Sequence, residues 1–158
     1  MLFQTPLDRL ERWLKILLGK KSTPGPLPRA ALPDDTVAAI LAALRTKQEP
    51  QRLLSRKWRG YFAQLGRQPD TDLIASLEIG ADLQMELEPG ELQDEDQVYA
   101  TVELPDRSRV NIGYLTSVGD IRGALRRGWV RCWFAETRPT TAHPTGAAVI
   151  FIVVYDPR

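Results

Sequence analysis

The chain has 158 residues, 43% hydrophobic and 26% charged, enough to bury one ordinary core with a small appendage but not two full domains. Its single cysteine, Cys132, excludes an intramolecular disulfide, and with His143 as the lone histidine a protein-only zinc site lacks ligands. The net charge of +1 conceals a split: residues 1–67 carry 13 Lys and Arg against 5 Asp and Glu, residues 68–106 carry 12 acidic and no basic residues, and residues 107–158 carry 8 basic against 3 acidic. Such a split implies either basic surface docked on acidic surface within the chain or two surfaces that choose different partners.

Thr5, Pro6 and Asp8 form a helix start, and Leu7, Leu10, Trp13, Leu14, Leu17 and Leu18 recur at helical spacing up to Gly19, Lys20 and Lys21. The pattern predicts an amphipathic helix over 1–21, able to dock on the protein's own core or to bind a partner through Leu10, Trp13, Leu14 and Leu17. Pro24, Pro26, Pro28 and Pro33 then mark an extended linker over 22–33. Acidic and basic residues interrupt the N-terminal apolar stretch, and no run reaches the roughly 18–20 apolar residues that span a bilayer, so a cytoplasmic protein without integral membrane association is expected.

Asp34 or Asp35 caps a second helix with Val37, Ile40, Leu41 and Leu44 on one face. A third begins near Glu49 and Pro50, carries Leu54, Trp58, Tyr61, Phe62 and Leu65 at helical spacing, and stops at Gly66. The two together predict a helical hairpin over 34–68, its third helix basic through Arg52, Arg56, Lys57 and Arg59.

From residue 70 the period changes to two. Leu83, Met85 and Leu87 alternate with Gln84, Glu86 and Glu88, and Val98, Ala100, Val102 and Leu104 alternate with polar neighbours, which predicts half-buried strands. Pro105, Asp106 and Arg107 form a turn, and Val110, Ile112 and Tyr114 return as an antiparallel partner. Thr116 or Ser117 starts a short helix with Val118, Ile121 and Leu125 inward and Arg122, Arg126 and Arg127 outward, closed by Gly128. Trp129 to Phe134 alternates again, placing Cys132 as a buried structural thiol. Ala147 to Tyr155, nearly all apolar and β-branched, predicts a central strand covered on both faces.

No catalytic constellation is evident. Gly80, Gly90 and Gly113 match no phosphate-binding fingerprint, and His143 lies in a loop beside Pro144. The cluster Glu86, Glu88, Glu91, Asp94, Glu95 and Asp96 has carboxylates suited to a hard cation but lacks calcium-loop spacing, so a solvated acidic loop is expected. A protein that is not an enzyme, with no cofactor and no metal, follows as the expectation.

The segment from Leu83 to Tyr155 resembles a HIRAN domain. Glu88-Pro89 precedes Leu92-Gln93-Asp94, a strand starts at Val98, and Ile112-Gly113-Tyr114-Leu115 leads into a helix, in the family's order. The resemblance implies a small β-barrel-like module, found alone in bacteria or attached to DNA-repair helicases, whose Tyr-Asp loop helps hold the 3′ end of single-stranded DNA. Asp94 matches that aspartate, Gln93 stands in place of the tyrosine, and Tyr114 matches an aromatic position of the second motif.

The expected fold is α+β: N-terminal helices, then over 70–158 a small antiparallel barrel-like domain with one inserted helix. The expected function is a non-enzymatic nucleic-acid-binding or DNA-associated module in which Arg122, Arg126, Arg127, Arg56 and Arg59 meet phosphates; the resemblance adds Asp94 and Tyr114 as nucleic-acid contacts. The alternative is an adaptor that engages a partner protein through the N-terminal helix and the acidic 86–96 loop.

Overall fold

The computed structural model describes residues 29–68, 71–89, 96–116, 118, 121–141, 143–144 and 146–157. The amphipathic helix expected over 1–21, with Leu10, Trp13, Leu14 and Leu17, lies outside them, as do Glu91, Asp94 and Glu95 of the acidic loop.

The described chain is α+β, built on one antiparallel sheet. Helix α1 (Asp34–Arg45) is followed by a 3-10 turn (Pro50–Leu53) and strand β1 (Trp58–Gln64). Short helix α2 (Thr71–Ser76) precedes β2 (Asp82–Glu88), β3 (Gln97–Glu103) and β4 (Arg109–Tyr114), and α3 (Ile121–Arg126) precedes β5 (Val130–Arg138) and β6 (Ala147–Tyr155). The six strands run in the order β1-β6-β5-β2-β3-β4.

Strand β6 fixes this arrangement. Its backbone needs a hydrogen-bonded neighbour on each side, and eight of its nine residues are buried, so both faces need cover. β5 lies on one side and β1 on the other. Ala148, Ile150, Ile152 and Val154 face the larger core, with Leu83, Met85, Val98, Ala100, Ile112 and the α3 residues Ile121, Ala124 and Leu125. Val149, Phe151 and Val153 face the other way, against Ile40 and Leu44 of α1 and Trp133 of β5. Cys132 is buried in the larger core, where the alternation of Val130, Cys132 and Phe134 places it.

The helical hairpin expected over 34–68 is half right. α1 forms, with Pro33 rather than an aspartate in the N-cap position and Asp34 and Asp35 in its first turn, where the dipole favours them. The third helix does not form: β1 replaces it, pairing Trp58 with Tyr155 through Gln64 with Val149. Two forces override the helical spacing. Aromatic residues at 58, 61 and 62 favour a pleated surface, and Gly60 weakens a helix interior while suiting a tight strand. A Cβ on Gly60 would lie 2.5 Å from Phe151 Cζ and 2.7 Å from Leu54 Cδ1, so glycine lets β1 close onto the Phe151 ring.

The expected linker also changes character at its end. The Ala30 N–H donates to Val130 O at 3.3 Å, Leu32 is buried beneath α1, and the Arg29 guanidinium pairs with Asp82 and donates to Leu83 O at 3.2 Å. These contacts strap the chain across the place where β2 and β5 pair only at Asp82–Trp133 and Leu83–Cys132.

The sheet curls without closing into a barrel. Its edge strands β1 and β4 meet at one corner, through the bridge of Leu65 with Leu115 and a 2.8 Å bond from Gly66 N–H to Tyr114 O. Closure would need β1 and β4 to pair along their length. Instead the bulge between Ala100 and Thr101 bends the β3–β4 ribbon, and α3 packs against β2, β5 and β6 on the inner side. α3 itself begins later than expected, at Ile121, and ends as expected at Gly128, whose φ of 73° provides the left-handed residue that stops a helix.

Candidate nucleic-acid interface

Pairing with β6 sends successive β1 side chains to opposite faces. Trp58, Gly60 and Phe62 share the side of Val153 and Phe151, whereas Arg59 and Tyr61 share the side of Val154 and Ile152, where α3 lies. A cleft of about 1020 Å³ opens there, between β1 and α3, lined by Arg59, Tyr61, Ile121, Arg127, Trp129 and Tyr155 among others. Arg127 reaches it from the end of α3 with its guanidinium 5.0 Å above the Trp129 ring. Trp129 in turn meets Tyr155 edge-on at 5.6 Å, and Tyr155 lies 5.1 Å from Trp58. Burial raises the Tyr61 phenol above its ordinary value while the Arg59 charge lowers it, so Tyr61 stays a neutral donor at physiological pH. One carboxylate, Asp156, lines the cleft beside the two arginines.

A smaller hollow of about 300 Å³ adjoins it, sharing Val118 and lined by Arg67, Gln97, Tyr114 and Arg122. The Arg67 guanidinium stacks 4.1 Å from the Tyr114 ring centre and donates to Gln97 Oε1 at 3.0 Å. Two of the arginines expected to meet phosphates are engaged elsewhere. Arg122 Nε donates to Asp96 O at 2.6 Å, and Arg126 Nη2 meets Asp96 Oδ2 at 2.7 Å, so both secure the chain entering β3. Arg56 is exposed in the turn before β1. The structure therefore brings Arg59 and Arg127 together, sets Arg122 and Tyr114 in the neighbouring hollow, and leaves Arg56 apart. Sequence reasoning missed Trp129, Tyr155 and Arg67. Arg127 and Trp129 lie two positions apart, a basic-aromatic pairing that was the available signal.

The outward face of β2, β3 and β4 forms a third, polar hollow of about 460 Å³, with Glu86, Tyr99, Thr101, Arg109, Asn111 and Tyr114. Tyr99 donates to Glu86 Oε2 at 2.8 Å, and Arg109 pairs with the same carboxylate. Burial first, then the hydrogen bond to the neighbouring Glu86, raises the Tyr99 phenol strongly. Glu86 thus ties Tyr99 and Arg109 into one network that holds the face together, and Glu88 adds a second carboxylate to the hollow.

His143 organises the β5–β6 loop through its main chain: its N–H donates to Thr140 Oγ1 at 2.9 Å, and its carbonyl accepts from Thr140 and Gly146, each at 3.0 Å. Among the described residues no group of three or more His, Cys, Asp or Glu side chains has a metal-holding arrangement, and no helix is long and apolar enough to cross a membrane.

Fold and site thus define an α+β module on one curled antiparallel sheet, with a basic, aromatic-lined cleft between an edge strand and a short helix. No family model, no curated protein and no solved structure matches the chain.

Proposed function

We propose that this protein is a non-enzymatic nucleic-acid-binding module, HIRAN-like in its C-terminal half, whose ligand runs through the cleft between β1 and α3. The observation that carries the reading is the convergence of Arg59 and Arg127 on a cleft lined by Trp129, Tyr155 and Tyr61. Guanidinium groups release counterions from phosphates, and aromatic faces stack on bases. The adjoining hollow extends the same chemistry, with Arg67 over Tyr114.

Fluorescence anisotropy with a labelled single-stranded DNA oligonucleotide tests it, in salt raised from about 50 to about 200 mM. Affinity falls with salt, and the double variant Arg59→Ala with Arg127→Ala lowers the logarithmic slope by roughly 0.7 for each phosphate that is no longer neutralised. Trp129→Ala weakens binding by about 1–3 kcal/mol if its ring stacks on a base. Absence of salt-dependent binding, or identical slopes for parent and double variant, rules the reading out.

A further inference from the structure

Among the described residues, strand β1 is paired along one side only, with β6. Asp156 N–H donates to Lys57 O at 2.6 Å and Leu65 N–H donates to Ala148 O at 2.8 Å, so the odd-numbered residues of β1 direct their main-chain groups at β6. By the alternation of an antiparallel ladder, Gly60, Phe62 and Gln64 direct theirs outward. That outward row is engaged beyond its end, where Gly66 N–H donates to Tyr114 O, and no described strand pairs with it from Gly60 to Gln64.

Natural sheets blunt such edges with proline, bulges or charges that point along the row. β1 has no proline and a continuous register with β6. Its flank is apolar instead: Phe62 is 46% exposed, and Leu53, in the 3-10 turn packed against β1, is 47% exposed. Arg56 and Lys57, both exposed, stand at the N-terminal end of the row with no ion pair among the described residues.

We infer that β1 accepts an extended segment of a partner protein as an added antiparallel strand. Main-chain bonds to Gly60, Phe62 and Gln64 supply the affinity, and apolar side chains lie against Phe62 and Leu53. Antiparallel addition sets the C-terminal end of that segment beside Arg56 and Lys57, so the partner carries acidic residues there. The corner at Gly66 and Tyr114 limits the paired stretch to about five residues at strand rise. This surface is separate from the cleft, into which Arg59 and Tyr61 point.

The probe is a fluorescein-labelled peptide, Thr-Val-Thr-Val-Thr-Glu-Glu, titrated with the full chain and followed by anisotropy. Binding is expected, with an affinity lower by about tenfold or more for the Arg56→Glu, Lys57→Glu pair and for Phe62→Ser. The same peptide N-methylated at alternate residues is expected not to bind, because the main-chain donors are gone. Equal binding of the methylated peptide reduces the effect to charge attraction and overturns the inference, as does no binding of the parent peptide. Sedimentation showing a dimer that Phe62→Ser dissolves assigns the edge to a second copy and overturns it equally. Thermal unfolding of each variant checks that its fold is intact.

Discussion

Gly113 sits where the two sheet edges meet, and replacing it with alanine isolates the cost of that corner. Its φ is 149°, and a Cβ there would lie 2.9 Å from Leu65 Cβ, 3.1 Å from Gly66 O and 3.3 Å from Gln68 Cγ. None of these can yield cheaply. Leu65 is fully buried, Gly66 O is backbone, and Gln68 is held at both ends of its amide: Oε1 accepts from Ala148 N–H at 2.6 Å and Nε2 donates to Gly146 O at 3.3 Å. Strain at a glycine-favouring φ costs about 1–3 kcal/mol and overpacking about 1–3 kcal/mol more. Gly113→Ala should therefore destabilise by about 4 kcal/mol, a large part of the roughly 5–15 kcal/mol of an ordinary domain. For a chain of this size that lowers Tm by about 8–16 °C.

Urea unfolding followed by tryptophan fluorescence measures the loss, with Gly123→Ala as the comparison. A Cβ on Gly123 meets only Arg127 Nη1, at 3.3 Å, the far end of a flexible side chain. Alanine in that helical position gains up to about 1 kcal/mol, so this variant is neutral or more stable. Faster hydrogen exchange at the Gly66 amide in Gly113→Ala would locate the damage at the corner. A Gly113→Ala midpoint within about 1 kcal/mol of the parent would refute the account, because neither the strain nor the contacts would then be real.

Cys132 is 1% exposed and burial pushes its thiol up to about 12, so a disulfide reagent near about pH 8 should leave the native protein unlabelled and modify it fully in urea. Arg29→Ala should speed native labelling severalfold, since Arg29 covers the small hollow in which Cys132 lies; rapid labelling of the parent would contradict the packing. Stability should fall in alkali. Tyr61, Tyr99 and Cys132 are all raised above their ordinary values of 10.0, 10.0 and 9.0, chiefly by burial, so the unfolded chain loses these protons first. Their contribution is intact below about pH 9 and is lost as pH climbs through the raised values. Tyr99→Phe removes one of these groups and should flatten the decline in urea midpoint between about pH 9 and 11; an unchanged slope would show that Tyr99 is not responsible.

Strands with one wet and one dry face were legible in the sequence, because alternation over Leu83, Met85 and Leu87 and over Val98, Ala100 and Val102 leaves one register that turns all six to the core, five of them buried and Leu87 partly so; Leu83 pairs with Val102 and Leu87 with Val98. The apolar run of β6 announced a strand flanked on both sides. It did not announce which segment would flank it, and β1 was hidden for that reason. Leu54, Trp58, Phe62 and Leu65 fit a helical period by coincidence, and only the demand of β6 for a second neighbour resolves them as strand. Gly60 was the local warning. The cleft was half legible. Arginines 122, 126 and 127 were readable as outward on a helix, but Asp96, which engages the first two, lies 26 and 30 residues away. Likewise Arg59 joins Arg127 only through the β1–β6 pairing, and a non-local pairing leaves no periodic trace.

The charge split has a physical reading within the fold: basic side chains from both flanks dock on the acidic stretch. Within the acidic stretch, Asp82 takes Arg29 and Arg131, Glu86 takes Arg109, and Asp96 takes Arg126, each cation coming from outside that stretch. Partly exposed pairs of this kind add little stability, so their main consequence is electrostatic: they offset part of the negative charge on and beside β2 and β3, where Glu88 and Glu103 have no ion pair among the described residues. Arg56, Lys57, Arg59 and Arg127 have no ion pair among the described residues, and three of them fall on or just before β1. Arg45, Arg67, Arg107 and Arg122 have none either, but Arg56, Lys57 and Arg59 place a run of positive charge on and just before β1, beside both the cleft and the edge that no described strand pairs. Screening over about 8–10 Å at ordinary ionic strength does not separate two sites on opposite sides of one strand. An anionic strand in the cleft and an acidic segment on the edge would draw on the same field, so each bound ligand must weaken the other by an equal factor.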